Sequence, residues 1–393
     1  FIAKVWDALT DPIMGYIADN TSTRWGKFRP YILFGSVPAL IMIILCFTSP
    51  NLSETGKFYW ALFTYITFTT LYTIIAIPVG SLIPAMTQDR DERTSLASFR
   101  YLGASSGSIT VAVLTLPLVG LFSSPQVGFP IVVGCLAVLG AIFAFLCFFN
   151  TKEVYSKPYE ESIGVKKVTK MVFNNYPLHF VILALLTTWV ANNIKQLTVV
   201  YFVKYNLQLE AYFSLILLGV ILQIMFGAYL INVIKHKFEK KTLFMIGTFL
   251  YVITDLIIYY ITGYENFWLL AFIATFGFIG FGMAGVMAWS MIADTIEYGE
   301  WKSGFRAEGV LNAAHVFVFK LSVGFSAWLA GVILESTDYV ANASQQTPET
   351  LNGLFVMGYI FPAVAGTIAI IVTYFNKYDS NFYEKIFTEL KQR

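Results

Sequence analysis

Residues 128–149 read GFPIVVGCLAVLGAIFAFLCFF, 22 consecutive positions from Gly128 to Phe149 without a charge, an amide or a hydroxyl. A run of about 20 apolar residues spans a hydrocarbon layer about 30 Å thick as an α-helix, because a helix satisfies its own backbone groups where no water can. Asn150, Thr151 and Lys152 close the run on one side, and Ser123 and Ser124 lie just before it on the other. Working outward, comparable runs occupy roughly 1–18, 31–49, 58–84, 98–122, 175–203, 210–233, 242–262, 267–293, 309–335 and 351–376. Of 393 residues, 57% are hydrophobic and 13% charged, against roughly a quarter charged in a soluble domain. The chain is therefore expected to be an all-α polytopic membrane protein with 11 spans. Cys46, Cys135 and Cys147 all fall inside apolar runs and show no metal-binding or CxxC spacing.

The longest polar connector divides the chain. The predicted organisation is a transmembrane half over 1–149, a linker over 150–174, a second transmembrane half over 175–376 and a tail over 377–393. Five spans precede the linker and six follow it. One helix ahead of Phe1 would make two six-helix halves, the layout of the major facilitator fold. The basic residues fix an orientation. With the 20–30 loop in the cytoplasm, 21 of the 26 Lys and Arg residues fall on the inner side, and only Lys57 and Lys204 on the outer. That asymmetry places the linker and the C-terminus inside.

Ionisable residues within spans are costly and mark function. Lys4, Asp7 and Asp11 share one face of the first span, since positions three and four apart are neighbours on a helix. Two carboxylates on one face suit a hard cation such as Na⁺, or a bound proton; the plainer alternative is that Lys4 neutralises Asp7. Lys320 lies deep in the span 309–335 and needs a carboxylate, for which Asp7 and Asp11 are the available partners. An ion pair of that kind would respond to cation binding. His315 suits a buried structural role as well as a proton carrier. Trp189, Asn192, Asn193 and Lys195 form a sugar-type set, with amides for hydroxyls and an indole face for the ring. Lys195 could equally snorkel to the surface. Asp255 has no evident partner. Two clusters, Asp89–Arg93 and the stretch containing Asp294, Glu297, Glu300, Lys302, Arg306 and Glu308, lie at corresponding inner ends of the halves. Ion pairs between them could close the inner side.

Three stretches resemble the glycoside–pentoside–hexuronide:cation symporters, the melibiose carrier's family. They are Trp6–Gly15 with Arg24–Pro30, Tyr72–Pro84, and Ala293–Lys302. The resemblance implies the major facilitator fold with its first helix missing from this sequence, and transport rather than enzymatic chemistry. It implies cation binding at Asp7, Asp11 and Thr73, with Thr10 where the melibiose carrier has an asparagine. It further implies coupling through Lys320, with Lys4 beside the carboxylates, and sugar contact at Arg100. Arg93, Asp294, Arg306 and Glu308 match charges that pair across the cytoplasmic side; Glu297, from the same charged cluster, is placed with them as a gate residue. Ala76 and Gly80 replace an aspartate and a tryptophan of the melibiose carrier, which argues against melibiose as substrate.

The expected function is secondary active symport of a sugar or glycoside with Na⁺ or H⁺ by alternating access. The expected setting is a bacterial inner membrane, with one chain acting alone. No cofactor beyond the co-transported cation and no nucleic-acid partner is expected. The nearest alternative is a carrier of lysophospholipids or other amphiphiles. A membrane-embedded aspartyl enzyme is disfavoured because Asp7 and Asp11 share one helix, whereas a dyad needs two facing segments.

Overall fold

The computed structural model describes residues 2–154, 165–340, 343, 345–378 and 380–392. Side chains are described for these except at 2–5, 7–9, 90, 91, 116, 165, 211, 380, 381 and 391. Regular structure among the described residues is helical: α1 (Ile2–Asp19), α2 (Arg29–Cys46), α3 (Glu54–Met86), α4 (Arg90–Val119), α5 (Pro125–Asn150), α6 (Val165–Asn174), α7 (Tyr176–Tyr201), α8 (Phe213–Ile234), α9 (Lys240–Ile257), α10 (Phe267–Ser303), α11 (Glu308–Ser336), α12 (Pro348–Phe375) and α13 (Ser380–Gln392). Each of the apolar runs lies on one of these helices. Ten of the helices are long and apolar enough to cross a membrane. The remaining expected span, α1, carries Lys4, Asp7, Asp11 and Asp19 along its 18 residues and is not among the ten.

Large apolar side chains point outward, among them Trp268 at 80% exposure and Phe149 at 71%. Water would not tolerate such a surface and lipid does. One helix outruns its apolar stretch. α10 continues 37 residues to Ser303, carrying Asp294, Glu297 and Glu300 on helix rather than in a solvated turn.

By its contacts the chain forms two compact units. The first comprises Phe1–Arg93, Ser106–Asn174 and Gly299–Phe317; the second comprises Thr94–Ser105, Asn175–Tyr298 and Val318–Arg393. In the first, α2 packs on α3 and α5, and α1 on α3. The Glu153 carboxylate accepts the backbone N–H groups of Lys27, Phe28 and Arg29 at 2.8, 2.9 and 3.0 Å. These are the orphan donors at the start of α2, where a negative charge is also favoured by the helix dipole. The start of α11 joins this unit through a backbone crossing, because a Cβ on Gly15 would lie 2.6 Å from the Gly309 carbonyl oxygen.

In the second unit, α12 packs along α7 and α9. The Asn175 side chain caps α7 by accepting the Leu178 N–H, and donates to the Thr295 carbonyl of α10 at 2.8 Å. α8 and α10 cross at closest approach through Gly282 and Gly227. A Cβ on Gly282 would fall 2.0 Å from the Ile224 carbonyl oxygen, and one on Gly227 2.0 Å from that of Ile279. Small residues that let backbones touch supply the packing that apolar transfer cannot provide in lipid. Gly282→Leu is therefore expected to cost roughly 3 kcal/mol through overpacking. It would appear as loss of the monodisperse peak in detergent size-exclusion, whereas Gly324→Ala, where an added Cβ meets nothing within 4 Å, should leave the profile unchanged.

Candidate functional site

In the first unit, α1 and α3 bring Asp11 and Thr73 together. Asp11 is wholly buried and Thr73 nearly so. The Thr73 hydroxyl donates to Asp11 Oδ1 at 3.0 Å. Trp6 Nε1 donates to Thr70 Oγ1 at 2.8 Å, one turn earlier on α3, so the two helices are joined at the carboxylate and again before it. Thr10 is half-buried beside it in sequence. Lys4 and Asp7 lie on α1, and their side chains are outside the described residues. A buried carboxylate with a hydroxyl on it is a hard-oxygen environment, of the kind that suits a small cation or a proton.

The same unit explains Gly80. Asn312 of α11 donates to the Ile77 carbonyl at 2.9 Å, and a Cβ on Gly80 would come within 2.1 Å of Asn312 Nδ2. No larger side chain fits at Gly80 while that amide holds α3. His315, one turn further along α11, is buried.

At the basic-loop end of this unit, Arg306 is a hub. Its guanidinium bonds Glu308 through Nε, Glu300 through Nη1 at 2.5 Å, and the Pro84 carbonyl of α3 through Nη2 at 3.0 Å. Asp19 accepts the Gly309 and Val310 N–H groups at 2.7 and 2.9 Å and so caps α11 from the end of α1. Lys27 is buried nearby. Burial pulls its ammonium below the ordinary value, while Glu308 and Asp19 pull it back up. Arg93 is fully buried and donates through Nε to the Thr87 carbonyl at 2.7 Å. Asp19 and Asn312 were not singled out from sequence, since nothing in the spacing tells that the start of α11 packs on α1 and α3.

In the second unit, Asn193 donates to Ser322 Oγ of α11 at 2.9 Å. Trp189 meets Phe319 and Phe281 edge-on, with centroids 4.9 and 6.2 Å apart, and its Nε1 has no hydrogen-bond partner among the described residues. Asp255, partnerless in the sequence, forms an ion pair with Lys195. Arg100 stacks on the Trp289 ring with its guanidinium carbon 4.1 Å from the centroid. Thr94 shares a hydrogen bond with Ser290, and Ser98 donates to the Ala228 carbonyl, so the start of α4 is tied to α8 and α10. Asp294 holds Lys240 with both oxygens, at 2.8 and 2.9 Å, and Glu297 is fully buried one turn on. Lys320 lies half-buried on α11 in this unit.

A cavity of about 770 Å³ opens between α7, α8, α10 and α12, with Asn192, Lys195, Gln196, Gln223, Phe278 and Tyr359 in its wall.

The family model described as MFS/sugar transport protein matches residues 1–380. The chain is 34% identical to the symporter YjmB of Bacillus subtilis, over its whole length and 86% of the relative. It is 31% identical to the isoprimeverose transporter of Lactiplantibacillus pentosus, over its whole length and 82% of the relative. Among solved structures, the proton:xylose symporter XylE bound to 6-bromo-6-deoxy-D-glucose aligns with a TM-score of 0.66 at 14% identity, covering 94% of this chain and 84% of that one. At that identity the likeness is one of fold.

Proposed function

The chain belongs to the glycoside–pentoside–hexuronide:cation symporter family within the MFS/sugar transport proteins, a family of membrane transporters and not of enzymes, and from that premise we propose that it carries a sugar or glycoside together with Na⁺ or H⁺ by alternating access. The observation that carries this is the Thr73–Asp11 contact: a wholly buried carboxylate held by a hydroxyl, on the helix that also bears Asp7. In a membrane, a carboxylate so placed is expensive unless it is used. The cation is cargo, and no resident cofactor is needed. Similarity to an isoprimeverose transporter supports a glycoside substrate of the pentoside, hexuronide or galactoside class. No observation favours an amphiphile carrier.

In this mechanism the cation settles on Asp11 with Asp7, Thr73 and Thr10 supplying further oxygens, while Lys320 and Lys4 sense whether the site is filled. Arg100, Trp189, Asn192, Asn193 and Lys195 contact the sugar. The Arg306 hub, the Asp19 cap, Arg93 and the buried Asp294 and Glu297 act at the cytoplasmic side, where the linker and C-terminus also lie in a bacterial inner membrane. The carrier works as a single chain.

Coupling of this kind is reciprocal. Saturating the purified protein with the coupling cation should raise sugar affinity by roughly 5- to 150-fold, and saturating sugar should raise cation affinity by the same factor. Isothermal titration with either ligand held constant measures both. Two affinities that ignore each other would contradict coupled transport.

A further inference from the structure

Two buried ion pairs of the second unit differ in kind. Lys240 is held by both oxygens of Asp294. Lys195 is held by Oδ1 of Asp255 alone; Oδ2 is buried and has no hydrogen-bond partner among the described residues. Leaving one oxygen of a buried carboxylate unsatisfied is costly, so a pair kept only for stability would resemble the first. The Lys195 ammonium also has its own support. The rings of Tyr251, Phe278 and Tyr359 surround it with centroids at 4.6, 5.2 and 5.1 Å. Such aromatic faces hold a cation in place whichever anion it meets. Lys195 reaches the 770 Å³ cavity, within the size range of small-ligand sites, whereas Asp255, 1% exposed, lies behind it. The charged and titratable groups facing Asp255 are Lys195 from α7, Tyr251 on its own helix and Tyr359 from α12. α10 presents the Phe278 ring to the lysine.

We propose that Lys195 and Asp255 form a displaceable ion pair that binds an organic anion from the cavity together with a proton. The anion's carboxylate takes the Lys195 ammonium, the Lys195–Asp255 contact breaks, and Oδ2 of Asp255 accepts one proton from the medium. Charge balances throughout: one negative charge and one proton enter together, and Lys195 stays protonated. The amides of Asn192, Gln196 and Gln223 supply hydrogen bonds to hydroxyls, and the otherwise apolar wall suits an apolar aglycone. The ligand is therefore an acidic glycoside with an apolar aglycone. This deepens the sugar-symport proposal and rests on it.

The matched probes are 4-nitrophenyl β-D-glucuronide and 4-nitrophenyl β-D-glucoside, which differ only at the carboxylate. Titrating the full-length protein in two buffers of different ionisation enthalpy counts protons taken up on binding. The glucuronide is expected to bind with uptake of about one proton and the glucoside with none. Lys195→Met should weaken the glucuronide roughly 10- to 100-fold and the glucoside less than about threefold. Asp255→Asn should keep glucuronide binding and lose the proton. Lys195→Met/Asp255→Leu, which strands no charge, should bind the two probes equally. Equal losses for both probes in Lys195→Met, glucuronide binding without proton uptake, or a glucuronide preference surviving in the double variant would each overturn the proposal. Gradient-driven accumulation of the glucoside into vesicles separates the two claims. If it persists while the probes behave alike, only the anion site fails; if no gradient moves either probe, the symport proposal fails with it.

Discussion

Vesicles containing the Asp11→Asn protein are expected to equilibrate sugar across the membrane but not to concentrate it, the accumulation ratio falling to about 1. Asn has the shape of Asp and keeps an oxygen to accept the Thr73 hydroxyl, now at 3.0 Å, so the α1–α3 contact survives. What it loses is the charge. Asp11 is wholly buried, and in such surroundings an anion attracts a cation with little screening, so removing it should lower cation affinity by on the order of 100-fold or more. Thr73→Ala removes one oxygen and leaves the charge, and the expected loss is smaller, roughly tenfold. Melting curves of the purified variants check that both are folded. Accumulation at the wild-type ratio in Asp11→Asn would remove Asp11 from the coupling site.

The second large effect concerns stability. Lys240 and Asp294 are 7% and 3% exposed, and each satisfies the other. Lys240→Met leaves the Asp294 carboxylate buried without its ammonium, which should cost about 3–5 kcal/mol. Lys240→Met/Asp294→Leu removes both charges and should recover most of that loss, since apolar replacements of a buried pair are often neutral. Thermal melts in detergent distinguish the two. If the single variant melts with the wild type, the pair is solvated rather than buried.

The bundle was legible because hydrocarbon imposes one rule on every span, and Gly128–Phe149 obeys it without exception. Asp11 was legible for the converse reason, a charge standing where that rule forbids it. The limits have equally physical causes. Hydropathy stops at Asp294, but α10 does not, because Lys240 from the start of α9 neutralises that residue. The partner of Asp255 lies 60 residues away on α7, and no local spacing encodes which helices are neighbours. Asp19 looks like an ordinary end-of-span acid until the start of α11 is found packed on α1. Gly80 first stood out as a missing side chain, and the position of Asn312 supplies the reason. Lys4 and Asp7 share the Asp11 face by helical spacing alone, since their side chains lie outside the described residues.

The central claim is that sugar movement is driven by a cation gradient. Uptake of labelled β-xylosides, glucuronides and α-galactosides into vesicles, with Na⁺ and pH gradients imposed separately, tests it most directly. At least one sugar should accumulate above its external concentration under at least one gradient, and the accumulation should collapse with the matching ionophore. Uptake indifferent to both gradients for every sugar would contradict symport.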